Sequence, residues 1–216
     1  MDKNMKYNIL ITGSQGGLGK EIYKKVKATK HSVFQHSRSS NTDINCDFNK
    51  LEEVKKIQEF IREKQINCLI NNSGVYSNKE FTSLTEEEIF NIINVNLIAP
   101  ILLTKYVYKN IIQNKSQGLI ININSLAGKY PSYNESIYCA SKFGLSGFGS
   151  SLSINQKKSN VKVIDCFIGA MKTNMTINRD NYENLMEPSE ISEFIINLID
   201  SNHNYTISSF ELRNSK

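Results

Sequence analysis

The sequence predicts an α/β chain: a parallel sheet of about seven strands, doubly wound, with helices on both faces. Three observations carry this. Short apolar runs alternate with longer segments of helical periodicity along most of the chain. The first apolar run leads straight into a glycine-rich turn and a helix start, the order in which a nucleotide site is built. The 216 residues suffice for a single domain, 1–216, with one continuous core. No internal repeat, low-complexity tract or linker interrupts it.

Tyr7-Asn-Ile-Leu-Ile11 is rich in β-formers and predicts the first strand, 7–11. Leu18, Ile22 and Val26 then recur at helical spacing with lysines between them, which gives a helix over 17–28. Strands follow near 32–36 and 44–46, and a helix near 50–64. The apolar run Cys68-Leu-Ile70 centres a strand at 67–71. Thr85-Glu-Glu-Glu88 is a capping box that opens a long helix, 86–113. Pro100 lies inside that pattern, removes the N–H that would bond the Asn96 carbonyl, and predicts a kink there. Strands at 118–124 and 161–167 flank a helix over 137–156. A helix at 189–200 and a strand at 205–210 close the chain. The stretch 172–187 lacks clear periodicity and reads as a loop or short lid.

Composition excludes several classes. The net charge of +5 comes from dispersed lysines, not from a basic stripe, so no nucleic-acid partner is expected. Apolar runs reach only five or six residues, and the N-terminus lacks a signal-like stretch; a cytoplasmic protein without membrane spans is expected. Cys46, Cys68, Cys139 and Cys166 show no paired spacing and read as buried thiols of a reducing compartment. His31, His36 and His203 are scattered, so no metal site is expected.

The turn is Thr12-Gly-Ser-Gln-Gly-Gly-Leu-Gly19. Gly13 permits the tight turn, Gly17 lets the backbone approach a pyrophosphate, and Gly19 lets the helix pack on its strand. The helix N-terminus offers free N–H groups to the anion. Further on, Tyr138 and Lys142 stand four residues apart, one helical turn on one face. Poising a phenol near neutral pH takes roughly 4 kcal/mol. An ammonium about 4 Å away at an effective dielectric near 20 supplies about that much. The hydroxyl of Ser125, thirteen residues upstream of Tyr138, completes a group able to hold and protonate a carbonyl oxygen.

Together these residues resemble the short-chain dehydrogenase/reductase family, in its compact single-domain branch with a Rossmann-type sheet. Asn71-Asn-Ser-Gly74 is similar to the family's Asn-Asn-Ala-Gly, and Asn94-Val-Asn96-Leu97 to the segment bearing its catalytic Asn. Ile120-Ile-Asn-Ile-Asn-Ser125 is similar to the strand that delivers the catalytic Ser. The resemblance implies Asn96, Ser125, Tyr138 and Lys142 as the catalytic set, with Asn96 anchoring a water in a relay toward the lysine. It implies cofactor contacts from Gly13, Ser14, Gly17, Leu18, Gly19, Asn72 and Gly74, from Tyr138 and Lys142, and from Gly169 and Thr173. Ile168-Gly169-Ala-Met-Lys-Thr173 departs from the family's Pro-Gly-x-x-x-Thr by placing Ile168 at the proline.

Cofactor preference lies at the end of the second strand. Ser37 occupies the position where NAD-preferring members carry an acid, and Arg38 follows, able to pair bidentately with a 2′-phosphate. Ser39 and Ser40 add donors. This favours NADP(H) over NAD(H). Asp47 matches the family's adenine-contacting Asp, and capping of the next helix competes for it.

The resulting expectation is an NADP(H)-dependent oxidoreductase moving a hydride between nicotinamide and a carbonyl or secondary alcohol, with Tyr138 as general acid/base. Two alternatives stay open: a non-catalytic NADP-binding sensor, and a sugar epimerase or dehydratase, for which the chain is short. The resemblance implies a homodimer through helices 86–113 and 137–156, with a tetramer left open, and Gly144, Gly147 and Gly149 allow close approach either there or onto the sheet.

Overall fold

A computed structural model describes residues 6–38, 41–154, 160–200 and 206–215. Seven strands form one parallel sheet: β1 (Asn8–Thr12), β2 (Ser32–Ser37), β3 (Ile44–Asn45), β4 (Cys68–Asn71), β5 (Gly118–Ser125), β6 (Val161–Ile168) and β7 (Ser209–Leu212). Their order across the sheet is β3-β2-β1-β4-β5-β6-β7, so the chain reverses direction between β1 and β4. The crevice outside the carboxyl ends of those strands is where such a sheet binds ligands.

The helices are α1 (Gly17–Lys27), α2 (Leu51–Glu63), α3 (Glu86–Ile93), α4 (Ala99–Gln113), α5 (Ser136–Ser153) and α6 (Pro188–Asp200). Side chains alternate along each strand and divide the core in two. Ile9, Ile11, Ile70, Ile121 and Cys166 pack on the face covered by α1 and α6. Leu10, Leu69, Ile120 and Val163 pack on the opposite face, which α2 and α4 cover. Both faces of the strands are therefore dry, as a parallel sheet requires.

That second face also carries a buried polar row. Thr104 and Asn71, then Asn122, then Asp165 are linked by hydrogen bonds of 3.2, 2.9 and 2.8 Å across α4, β4, β5 and β6. Burial pushes the Asp165 carboxyl up to about 6. Gly149 of α5 lies directly over it, where any Cβ would meet the carboxylate at 2.3 Å. Gly144 likewise faces Leu97, so two of the three α5 glycines serve internal packing.

Two elements differ from expectation. The long helix does not simply kink at Pro100. A π-helical turn, Asn94–Ile98, separates α3 from α4, and the Ala99 N–H bonds the Asn94 carbonyl. A proline that cannot donate to the fourth residue back is accommodated by widening the preceding turn. The Thr85–Glu88 capping box is present as expected. The last strand begins later than expected because its register is set by β6: Asp165 faces Ser209 and Ile168 faces Leu212. The first residue predicted for that strand, the last residues of the 137–156 helix, and Ser39 and Ser40 lie outside the described residues. By length and composition Glu86–Gln113 is apolar enough to cross a bilayer; here it packs on β4, β5 and α2.

Candidate active site

β1 ends in the glycine turn, which overhangs the crevice. Gly13 adopts φ 64, a conformation that L side chains rarely adopt. The turn is held from three sides. Asn72, just beyond β4, donates its amide to the Thr12 and Gly13 carbonyls at 2.9 and 3.1 Å. Ser14 bonds the His36 carbonyl through both its N–H and its hydroxyl, each at 3.1 Å. The Gly13 N–H meets Nδ1 of His36 at 3.4 Å. Gly19 fits beneath: a Cβ there would lie 2.4 Å from the Gly13 carbonyl oxygen.

A cleft of about 790 Å³ runs from this turn across the strand ends. At one end it is walled by His36 stacked on Phe48, with ring centroids 4.4 Å apart. Ser37, Arg38 and Asp47 line the same end. Ser37 is buried and its hydroxyl lies 3.4 Å from that of Thr42. Asp47 accepts from the Asn49 N–H and side-chain amide at 3.0 and 3.2 Å. Its carboxylate thus shapes the loop ahead of α2, whose N-cap is Lys50.

At the other end three elements converge. β5 delivers Ser125, whose hydroxyl accepts from the Ala127 N–H at 3.1 Å and borders the cleft with Tyr138. α5 carries Tyr138 and Lys142 on one face. The Lys142 ammonium lies 5.9 Å from the Tyr138 ring centroid and donates to the Ile123 carbonyl at 3.0 Å. Burial pushes Lys142 down to about 8 and Tyr138 up to about 12. For the phenol, burial outweighs the Ser125 hydrogen bond and the Arg179 charge, which lower it, and Glu135 adds to the rise. Desolvation is thus the largest influence on both groups, opposite in sign for the phenol and the ammonium.

The π turn delivers Asn96, which is fully buried. Its side chain clamps the loop after β4, accepting from the Val75 N–H and donating to the Val75 carbonyl, both at 2.8 Å, and it donates to the Ser141 hydroxyl at 3.1 Å. Every polar atom of that side chain is thus engaged.

The turn after β6 closes the cleft. Ile168 ends the strand and pairs with Ser125 and Leu212 on its two sides. The Gly169 N–H bonds the Leu212 carbonyl at 2.9 Å. Strand pairing thus fixes the turn where the sequence lacks proline. Thr173 lies over the glycine turn: a Cβ on Gly17 would meet its methyl at 3.1 Å. The segment 172–187 is pinned at its base by the Met171–Met186 bridge and by the Lys172–Glu187 ion pair at 2.8 Å.

Of the residues singled out in the sequence, Gly13, Gly17, Leu18, Ser37, Arg38, Asp47, Asn72, Gly74, Ser125, Tyr138, Lys142, Gly169 and Thr173 border the cleft. Ser14, Gly19 and Asn96 stand behind it. Glu135 and Arg179 border it as well and were not foreseen. Arg179 is the sole arginine of the 172–187 stretch. The cleft leaves room for a dinucleotide at the glycine turn: Gly13, Gly16 and Gly17 border it beside Gln15 and Leu18, and a Cβ on Gly16 would stand in open space.

A sequence model of the short chain dehydrogenase family matches residues 7–184. An uncharacterised oxidoreductase of Saccharomyces cerevisiae is 30% identical, over 92% of this chain and 72% of its own. A 3-oxoacyl-[acyl-carrier-protein] reductase of Buchnera aphidicola is 27% identical over 94% of each chain. Among solved structures, a 4-hydroxyisoleucine dehydrogenase complexed with NADH superposes with a TM-score of 0.87 at 23% identity, over 96% of this chain and 97% of that one. With the glycine turn, the parallel sheet and the cleft across its switch point, these matches make the chain a member of the short-chain dehydrogenase/reductase family, NAD(P)-dependent oxidoreductases of carbonyl and alcohol substrates.

Proposed function

We propose that this protein is an NADP(H)-dependent carbonyl reductase in which Tyr138 is the general acid. The observation that carries the reading is the convergence of Ser125, Tyr138 and Lys142 at one end of a cleft whose other end is the glycine turn. When bound, the nicotinamide supplies the hydride. At neutral pH a phenol near 12 is fully protonated, and an alkoxide is a stronger base still, so Tyr138 gives its proton to the oxygen as charge develops there. Ser125 bonds the same oxygen and meets that charge with a second hydroxyl. Lys142, still largely protonated below about 8, supplies a fixed positive charge behind the phenol and a donor for the nicotinamide ribose. Asn96 acts through its backbone, since its side chain is spent on Val75 and Ser141. The glycine turn, with Ser14, Leu18, Asn72 and Gly74, cradles the pyrophosphate side, and Gly169 and Thr173 meet the nicotinamide side.

NADP(H) is favoured by Arg38. It borders the cleft and has no carboxylate within ion-pair distance among the described residues. Its guanidinium matches a 2′-phosphate bidentately, and Ser37 offers no carboxylate to a ribose diol. The sensor alternative rested on the altered Ile168–Gly169 turn, which strand pairing holds in place. A homodimer is part of this reading: Phe90, Ile98, Ile112 and Phe143 leave apolar surface exposed on α3, the π turn, α4 and α5.

The test is absorbance at the reduced-nicotinamide band with a panel of aldehydes and ketones, using NADPH and NADH in parallel. The reading requires turnover with at least one carbonyl and a kcat/KM for NADPH at least tenfold above that for NADH. A clear NADH preference overturns the cofactor assignment.

A further inference from the structure

Arg179 reaches from the 172–187 segment to the far rim of the cleft, beside the proposed acid. Its guanidinium lies 5.7 Å from the Tyr76 ring centroid and 3.4 Å from the Tyr76 hydroxyl. Tyr76 in turn meets Tyr138 edge to face at 5.1 Å. One aromatic ring thus separates the arginine from the phenol. Tyr76 donates to Glu135 Oε1 at 2.7 Å, which leaves its oxygen as acceptor toward Arg179. Glu135 Oε1 also lies 3.6 Å from the guanidinium, a long ion pair that engages one edge of the fork.

Both contacts of Arg179 are long, and a guanidinium presents five donors in a planar fork. The side chain keeps 41% of its surface exposed and borders the cleft. The other cation at this end, Lys142, is buried and bonded to the Ile123 carbonyl. Glu135 is only 11% exposed and is already engaged by Tyr76, which disfavours it as a receptor for a substrate ammonium. We propose that Arg179 selects small oxo- or hydroxy-acids, taking the substrate carboxylate bidentately while the carbonyl lies at Ser125 and Tyr138. This rests on the reductase reading above. Arg179 is a specificity residue in it and takes no part in proton or hydride transfer.

The test uses the full-length enzyme with NADPH and matched pairs, short 2-oxo and 3-oxo acids against their methyl esters. Wild type is expected to prefer the acid at least tenfold in kcat/KM. Arg179→Leu should collapse that acid-to-ester ratio at least tenfold through the KM of the acid, and Arg179→Lys should restore part of it. Equal use of acid and ester by wild type, or an unchanged ratio in Arg179→Leu, overturns the proposal, as does a preference for amino ketones lost in Glu135→Gln. Calorimetry with glutarate, added to the enzyme–NADPH complex, reads the same site without turnover. Binding that Arg179→Leu abolishes supports the proposal, and no binding or equal binding overturns it. If no carbonyl compound, neutral or anionic, is reduced by wild type, the reductase reading fails whatever glutarate does.

Discussion

The His36 imidazole bonds the Gly13 N–H through Nδ1 and the Cys46 carbonyl through Nε2, which assigns a neutral ring protonated on Nε2. A proton on Nδ1 would set two donors against each other under the glycine turn. Burial pushes this histidine down to about 4 from an ordinary 6.5. The fold favours the neutral ring, so the contribution is complete above about 6.5 and is lost as pH falls toward 4. His36→Gln should reduce the loss of unfolding free energy between pH 7 and 4.5 by about 2–3 kcal/mol, read by urea titration. An unchanged pH slope would contradict this. Asp165 titrates in the opposite sense, gaining stability on acidification through about 6, but it is common to both proteins and cancels in the comparison. Individual residues were legible where the chemistry is local in the chain. Gly13, Gly17 and Gly19 share one turn, and Tyr138 and Lys142 share one helix face. Arg179 was not, because its partner Tyr76 lies 103 residues away and only the fold joins them.

The break between α3 and α4 shows what a sequence pattern leaves open. Pro100 announces a disturbed helix, but a kink and a widened turn both relieve it, and the sequence does not choose. The structure takes the π turn, and that turn places Asn96 against Val75 and Ser141. Gly144 contributes by letting α5 close onto Leu97. Asn96→Ala removes three hydrogen bonds and takes the side-chain partners from the part-buried Val75 N–H and carbonyl, while Ser141 keeps its bond to the Tyr138 carbonyl. It should cost about 2–4 kcal/mol of stability, seen as a lower urea midpoint. A loss under about 0.5 kcal/mol would show that the clamp is dispensable. The β7 boundary was misjudged for a related reason: pairing with β6, not local composition, decides where it starts.

Alternation of strands and helices disclosed the α/β class, and the glycine turn after β1 located the ligand edge of the sheet. The proposed self-association would use what the fold leaves uncovered. Phe90 and Phe143 are 65% and 44% exposed on adjoining helices, a patch suited to a second copy. Light scattering at micromolar concentration should give twice the 24.6 kDa chain mass, and Phe143→Glu should shift it to the monomer. A wild-type monomer would reject the dimer. The proposed reductase activity hangs on one hydroxyl. NADPH consumption should be compared in wild type and Tyr138→Phe with the best carbonyl of the panel, and NADPH binding followed by its fluorescence. The expected result is a rate lower by about a hundred- to ten-thousand-fold with dinucleotide binding retained. Near-normal turnover in Tyr138→Phe would contradict it.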